Sequence, residues 1–122
     1  MQTSRASAVK AFYYEAPFES ELEIYEYLKR WGVFEVAGFH IPELIDFDRS
    51  QQVIEMSVVM PPYILDFVDA LIERPIERDE DQITALAEIF EDDWPRVKIA
   101  IWQLEEHGVY LGDVHPRNIC CR

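Results

Sequence analysis

The stretch Gly112-Asp113-Val114-His115-Pro116-Arg117-Asn118 determines how the rest of the sequence is interpreted. It follows the short apolar run Val109-Tyr110-Leu111, and the fixed backbone of Pro116 stiffens it. Phosphoryl transfer needs a carboxylate close to the attacking hydroxyl and a neutral oxygen close to Mg²⁺, both held by one rigid turn. Asp113 and Asn118 offer these two groups. The same residue types also form ordinary polar surface turns, which is the alternative interpretation.

The loop resembles the Gly-Asp-x-His-Pro-x-Asn form found in aminoglycoside phosphotransferases and atypical protein-kinase-like families. This resemblance implies an ATP-dependent phosphotransferase that uses Mg²⁺, with Asp113 as the catalytic base and Asn118 as a metal ligand. His115 stands where many kinases have a lysine that contacts phosphate. Leu111 and Gly112 replace the His and Arg of ordinary protein kinases, which argues against control by activation-loop phosphorylation.

A second kinase-like feature lies near the start of the sequence. The apolar and aromatic stretch from Ser7 to Tyr14 predicts a strand, and the period of two places Ala8, Lys10 and Phe12 on one face. This strand resembles the Val-Ala-Ile-Lys strand of kinases. The resemblance implies that Lys10 pairs with the α- and β-phosphates of ATP and that Ala8 touches adenine. The alternative is a strand whose lysine points to solvent.

The next element supplies a partner for that lysine. Residues from Phe18 to Trp31 have helical periodicity, and Glu21 falls at the centre of the apolar stripe. A carboxylate on an apolar face is costly to bury unless a cation pairs with it. We therefore predict a Lys10–Glu21 ion pair, as in the N-lobe of kinases. The alternative is a boundary position from which Glu21 reaches water.

After Gly32 the pattern changes to strands. Ile41 to Phe47 and Gln52 to Val59 are largely apolar runs on either side of a turn, so they predict a hairpin that completes a three-stranded antiparallel sheet carrying one helix. The second run resembles the passage from strand to hinge in kinases. That resemblance makes Ile54 the residue that guards the pocket, and it assigns the adenine-binding hinge to Glu55, Met56 and Ser57. The pair Pro61-Pro62 departs from the family pattern.

Three helices are predicted next. They cover Ile64 to Ile72, a helix opened by a capping box at Asp79, and Asp93 to His107 with Gly108 as its stop. The predicted fold is therefore α+β, a truncated protein-kinase-like fold in a single incomplete domain. Residues 1–60 would form an N-lobe-like sheet and helix, and residues 61–122 the start of a helical lobe up to the catalytic loop. Trp94 and Trp102 are expected to be packing residues rather than ligand contacts.

Composition limits the function classes. The chain has 122 residues and a formal net charge of -13, which argues against nucleic acid and anionic membranes as partners. Without a signal peptide or an apolar run of membrane-spanning length, a cytoplasmic protein is expected. Cys120 and Cys121 are expected to be reduced. Nine acids against two arginines between Glu73 and Asp93 support an alternative, a small acidic protein-interaction or inhibitor module without catalysis.

The sequence also lacks parts that a kinase needs. No glycine-rich hairpin precedes Lys10, and no Asp-Phe-Gly metal site follows Asn118. The expectation is a kinase-like fragment with an incomplete nucleotide site, which binds ATP and Mg²⁺ weakly and is inactive alone. Such a fragment would leave the strand from Ser7 to Tyr14 with an open edge, for a second copy of the chain or a protein partner to cover.

Overall fold

The computed structural model describes residues 6–60, 62–67 and 70–121. Their regular elements follow in chain order as β1 (Ser7–Ala11), α1 (Glu15–Arg30), β2 (Glu35–Val36), β3 (Phe39–His40), β4 (Leu44–Asp48), β5 (Val53–Ser57), β6 (Ile64–Leu65), β7 (Ala70–Ile72), α2 (Glu80–Phe90), a 3-10 turn (Glu91–Asp93), α3 (Trp94–Glu106), β8 (Val109–Leu111) and β9 (Ile119–Cys120). The chain is therefore a mixed α+β structure.

The first sheet has the strand order β1-β5-β4, and both pairings are antiparallel. The predicted three-stranded sheet is confirmed, with β5 at its centre and Lys10 of β1 opposite Ile54. An Asx turn closes the β4–β5 hairpin, because the Asp48 carboxylate accepts hydrogen bonds from the backbone N–H of Ser50 and Gln51 at 2.8 and 3.2 Å. The first strand ends at Ala11, earlier than the predicted Tyr14.

Helix α1 packs one face against this sheet. Its buried residues recur at helical spacing, as the predicted apolar stripe requires, and they are Phe18, Glu21, Leu22, Ile24, Tyr25 and Leu28. Each large apolar side chain buried in this way stabilises the fold by roughly 1.5–3 kcal/mol. Gly32, with a φ of 67°, follows the helix in the left-handed conformation that glycine adopts without strain. The helix therefore holds Glu21 against the sheet.

The predicted helix from Ile64 to Ile72 is wrong. The structure has two short strands there: β6 pairs in parallel with β3 and antiparallel with β9, and β7 pairs antiparallel with β8. The order of the second sheet is β2-β3-β6-β9, and β7-β8 forms a third sheet. A short apolar run cannot be assigned to helix or strand by periodicity alone, and partners distant in sequence decide here in favour of strands.

The other two predicted helices are confirmed. Asp79 and Gln82 form a reciprocal capping box at the start of α2. Helix α3 buries Val97, Ala100, Ile101 and Leu104, and Gly108 follows it at a φ of 82°. The two tryptophans differ in burial: Trp94 is half-buried and stacks on Phe90, as expected for a packing residue, whereas Trp102 is 60% exposed.

The buried core connects the elements that carry the predicted site. It joins α1, β5, α3 and the three strands β6, β8 and β9, through fully buried side chains such as Ile54, Phe67, Leu104 and Ile119. Cys120, at the end of β9, and its neighbour Cys121 are not joined in a disulfide. Among the described ranges, no helix has both the length and the apolar character that crossing a membrane requires.

Candidate functional site

The predicted ion pair between strand and helix is present. Lys10 Nζ of β1 lies 2.7 Å from Glu21 Oε1 of α1. The Glu21 side chain is only 5% exposed, so the carboxylate of the pair is buried. This excludes the alternative in which Glu21 reaches water. The same ammonium lies 3.1 Å from Asp66 Oδ1, whose side chain is 37% exposed. Lys10 therefore bridges two carboxylates that come from different parts of the chain.

The electrostatics of these three residues follow from two carboxylates sharing one ammonium. Burial by itself lowers the pKa of Lys10, but the hydrogen bond to Glu21 and the charge of Asp66 outweigh it and raise that pKa above 10.5. Burial raises the pKa of Glu21, and the Asp66 charge adds to that rise, while the hydrogen bond from Lys10 opposes it. Burial and the same two acids raise the pKa of Tyr25, so its phenol stays neutral. The cluster carries one net negative charge.

The loop between β8 and β9 brings the other two predicted residues together. The side-chain amide of Asn118 donates to the Asp113 carboxylate at 2.9 Å and to the Asp113 carbonyl at 3.1 Å. The loop is closed by the Asn118 backbone N–H, which donates to the His115 carbonyl at 2.8 Å. Asn118 is buried, whereas the Asp113 side chain faces solvent. Both hydrogen bonds come from Nδ2 of Asn118, so neither involves its amide oxygen.

The side chain of His115 takes part in the hydrogen bonding of this loop. Its Nδ1 accepts a hydrogen bond from the backbone N–H of Arg117 at 3.2 Å, so Nε2 is the ring nitrogen that can donate. The side chain is half-buried. It can therefore offer one N–H to an anion at the loop, which is compatible with its predicted phosphate contact.

Asp66 connects the lysine cluster to the loop. It directly follows β6, and its backbone N–H donates to the Asn118 carbonyl at 2.7 Å. The pairing of β6 with β9 places Leu65 opposite Ile119, next to Asn118. Lys10, Glu21, Asp66, Asn118 and Asp113 are thus linked by consecutive hydrogen bonds. Sequence reasoning missed Asp66 because it lay in the wrongly predicted helix; the available signal was one acid within the apolar run Ile64 to Phe67.

The remaining predicted cofactor-binding residues lie in the sheet. Ala8 is exposed on β1 and is paired with Met56. Glu55, Met56 and Ser57 belong to the central strand β5, whose backbone pairs with β1 on one side and with β4 on the other. This pairing argues against these three residues as the adenine-binding hinge, because a hinge needs backbone groups that are free to bind adenine. The chain leaves the sheet only after Ser57.

The donor atoms at this site are those that suit Mg²⁺. Two carboxylates, Asp66 and Asp113, and the amide oxygen of Asn118 are hard oxygen ligands. In the described part of the chain, no three His, Cys, Asp or Glu side chains lie close enough together to hold a metal ion. Proteins usually bind Mg²⁺ through one or two carboxylates together with the phosphates of a substrate. The residues present thus fit a metal that arrives with a nucleotide.

A separate apolar groove lies between α2 and α3. It has a volume of about 260 Å³, and Ile76, Ile83, Trp94, Ile101 and Trp102 are among its lining residues. It contains none of the predicted site residues.

Comparisons of the chain with protein-family models, curated proteins and solved structures gave no match.

Proposed function

We propose that the chain is a kinase-like nucleotide-binding domain, in which Lys10 contacts the phosphates of ATP. The observation that carries this proposal is the buried Lys10–Glu21 pair at 2.7 Å, joined through Asp66 to the Asp113–Asn118 loop. Phosphotransferases of the kinase type need a lysine held by a helix glutamate, and an Asp and an Asn on one loop. The proposal is supported by the identity of these residues and by the distances between them.

Each residue has a distinct part in the proposed site. The ammonium of Lys10, oriented by Glu21, neutralises phosphate charge. The exposed carboxylate of Asp113 would accept a proton from an attacking hydroxyl, and the Nε2–H of His115 would donate to a phosphate oxygen. The amide oxygen of Asn118 would hold Mg²⁺, which, when bound with a nucleotide, would withdraw negative charge from the phosphates. The adenine-binding hinge is then expected just after β5, at residues 58–60.

Binding is proposed without efficient turnover. The described residues include no glycine-rich hairpin beside β1 that could cover the phosphates. Charge stabilisation by preorganised groups is the dominant contribution to phosphoryl transfer, and a site that lacks such a cover leaves the phosphates open to water. We therefore expect weak ATP binding and negligible phosphotransferase activity from this chain alone.

Calorimetric titration of ATP tests the proposal. Wild type should bind ATP, and Lys10→Met should weaken the affinity by at least about tenfold, equivalent to about 1.4 kcal/mol, because it removes the phosphate contact. Lys98→Met is the matched control, since Lys98 is exposed on α3 and away from the site. Far-UV circular dichroism checks that each variant is folded. Equal ATP affinities for wild type and both variants, or no binding by wild type, would refute the proposal.

A second candidate function is binding of a basic protein partner. Two observations favour it: the excess of acids between Glu73 and Asp93, and the groove between α2 and α3 beside the exposed side chains of Ile83 and Trp102. A Trp with an exposed apolar face is a frequent anchor in protein interfaces. Absence of ATP binding, together with binding of basic peptides that Trp102→Ala abolishes, would favour this candidate.

A further inference from the structure

Asp66 contacts the loop residue Asn118 as well as Lys10, and an ion pair with Lys10 alone would not require the second contact. Its carboxylate lies 3.1 Å from the Lys10 ammonium on one side. On the other side its backbone N–H is bound at 2.7 Å to the carbonyl of Asn118. Asp66 therefore contacts both the ammonium proposed to bind phosphate and the backbone of the residue whose side chain is proposed to hold metal. More than a third of its side chain stays exposed, so the carboxylate is open to a ligand.

The charges around Asp66 call for a cation once a nucleotide binds. Lys10 is the single cation of the cluster, and Glu21 and Asp66 already exceed its charge by one. A triphosphate that approaches Lys10 adds several negative charges beside the Asp66 carboxylate. Like charges at a few ångströms repel by about 1 kcal/mol or more even in water, and by more in a partly buried site. A divalent cation between the phosphates and Asp66 would convert this repulsion into attraction.

The neighbouring Phe67 fixes the end of β6. Its ring is fully buried and packs edge-on against Tyr25 of α1, with centroids 5.5 Å apart and an interplanar angle of 88°. Together with the β6–β9 pairing, this contact holds the backbone of Asp66 from both sides. The carboxylate is consequently presented by a rigid element, which the placement of a metal ligand requires.

We propose that Asp66, together with Asn118, holds the Mg²⁺ of a nucleotide bound at Lys10. The assignment rests on the proposed function. Asp66 would supply the second metal ligand that the sequence was expected to lack, although its position in the sequence differs from that of the kinase ligand. In protein kinases this carboxylate follows the catalytic loop, whereas Asp66 precedes the loop and reaches it through the pairing of β6 with β9.

The Mg²⁺ dependence of ATP affinity tests Asp66. We would titrate ATP calorimetrically into wild type, Asp66→Asn and Asp92→Asn, in EDTA and in saturating Mg²⁺ at one ionic strength. Asp92 is an exposed acid on the 3-10 turn, so its variant is a charge-matched control. Wild type and Asp92→Asn should bind ATP about tenfold more tightly with Mg²⁺. Asp66→Asn should lose this gain, and its affinity in EDTA should be unchanged or higher because a negative charge next to Lys10 is removed.

A second measurement does not depend on a variant that folds. Mn²⁺ with ATP, added to isotope-labelled wild type, should broaden the amide signals of Asp66, Phe67 and Asn118 first, because paramagnetic broadening falls steeply with distance. An undiminished Mg²⁺ gain in Asp66→Asn, or broadening centred elsewhere, would overturn the Asp66 assignment alone. Absence of ATP binding by wild type with and without Mg²⁺ would instead refute the proposed function, and the Asp66 assignment with it.

Discussion

Replacing Lys10 by methionine is expected to destabilise the fold, because the Glu21 carboxylate then stays buried without the ammonium 2.7 Å away. Removing one partner of a buried pair costs about 3–5 kcal/mol. Protonation of Glu21 limits the loss: neutralising a carboxylate with an ordinary pKa of 4.5 costs roughly 3.4 kcal/mol at pH 7. Since Lys10 itself is partly exposed, we expect a loss of about 2–3 kcal/mol in the free energy of unfolding at pH 7.

The loss should shrink as the pH falls. Without Lys10, burial and the nearby charge of Asp66 raise the pKa of Glu21 further above its unfolded value. A group with a raised pKa in the folded state contributes stability below its unfolded pKa, and this contribution is lost as pH rises through the folded pKa. The difference between Lys10→Met and wild type should therefore fall to at most about 1.4 kcal/mol at pH 5.5.

Urea denaturation at pH 7 and pH 5.5, followed by tryptophan fluorescence, measures these differences. Arg49→Met is the matched control, because the Arg49–Glu19 pair at 3.1 Å is exposed and should contribute less than about 1 kcal/mol. The double variant Lys10→Met/Glu21→Leu removes both charges and should come within about 1 kcal/mol of wild type. If Lys10→Met loses no more stability than Arg49→Met, the pair is not buried as described.

Three further outcomes are expected. Gly108→Ala should cost about 2 kcal/mol in a denaturation experiment, because its φ is 82° and the added Cβ would contact Glu73; Gly32→Ala, at a φ of 67° with open space around it, should cost only about 1 kcal/mol. Asp79→Ala removes the capping box of α2 and should lower stability by about 1 kcal/mol, with an equal loss in Asp79→Val and little loss in Asp79→Ser. Light scattering should show concentration-dependent association through β1, which is an edge strand among the described residues and exposes 66% of Val9. Val9→Lys should make the chain monomeric, and a wild type that stays monomeric at high micromolar concentration would contradict this.

Local features of the sequence predicted the parts of the site that depend on local structure. The position of Glu21 on α1 followed from helical periodicity, and the closeness of Asp113 to Asn118 followed from their separation in one short loop. The alternation of β1 gave the side of the sheet on which Lys10 lies. Because these features are set within a few residues, single-sequence reasoning was sufficient for them.

The errors concern residues whose structure depends on distant partners. The stretch from Ile64 to Ile72 is apolar enough for a helix, but hydrogen bonds to β3, β8 and β9 make it two strands. Asp66 was missed for the same reason, because its contact with Lys10 exists only after β6 has paired with β9. The strand order, with β5 between β1 and β4, is likewise set by distant partners, and it argues against a hinge at Glu55 to Ser57.

A nuclear magnetic resonance titration with ATP and Mg²⁺ tests the nucleotide site most directly, since it reports binding and position together. The backbone amide signals of Lys10, Asp66, Asp113 and Asn118, and of residues 58–60, should shift together as ATP is added, and those of the groove between α2 and α3 should not. Shifts confined to that groove, or no shifts at millimolar ATP, would contradict the proposed nucleotide site.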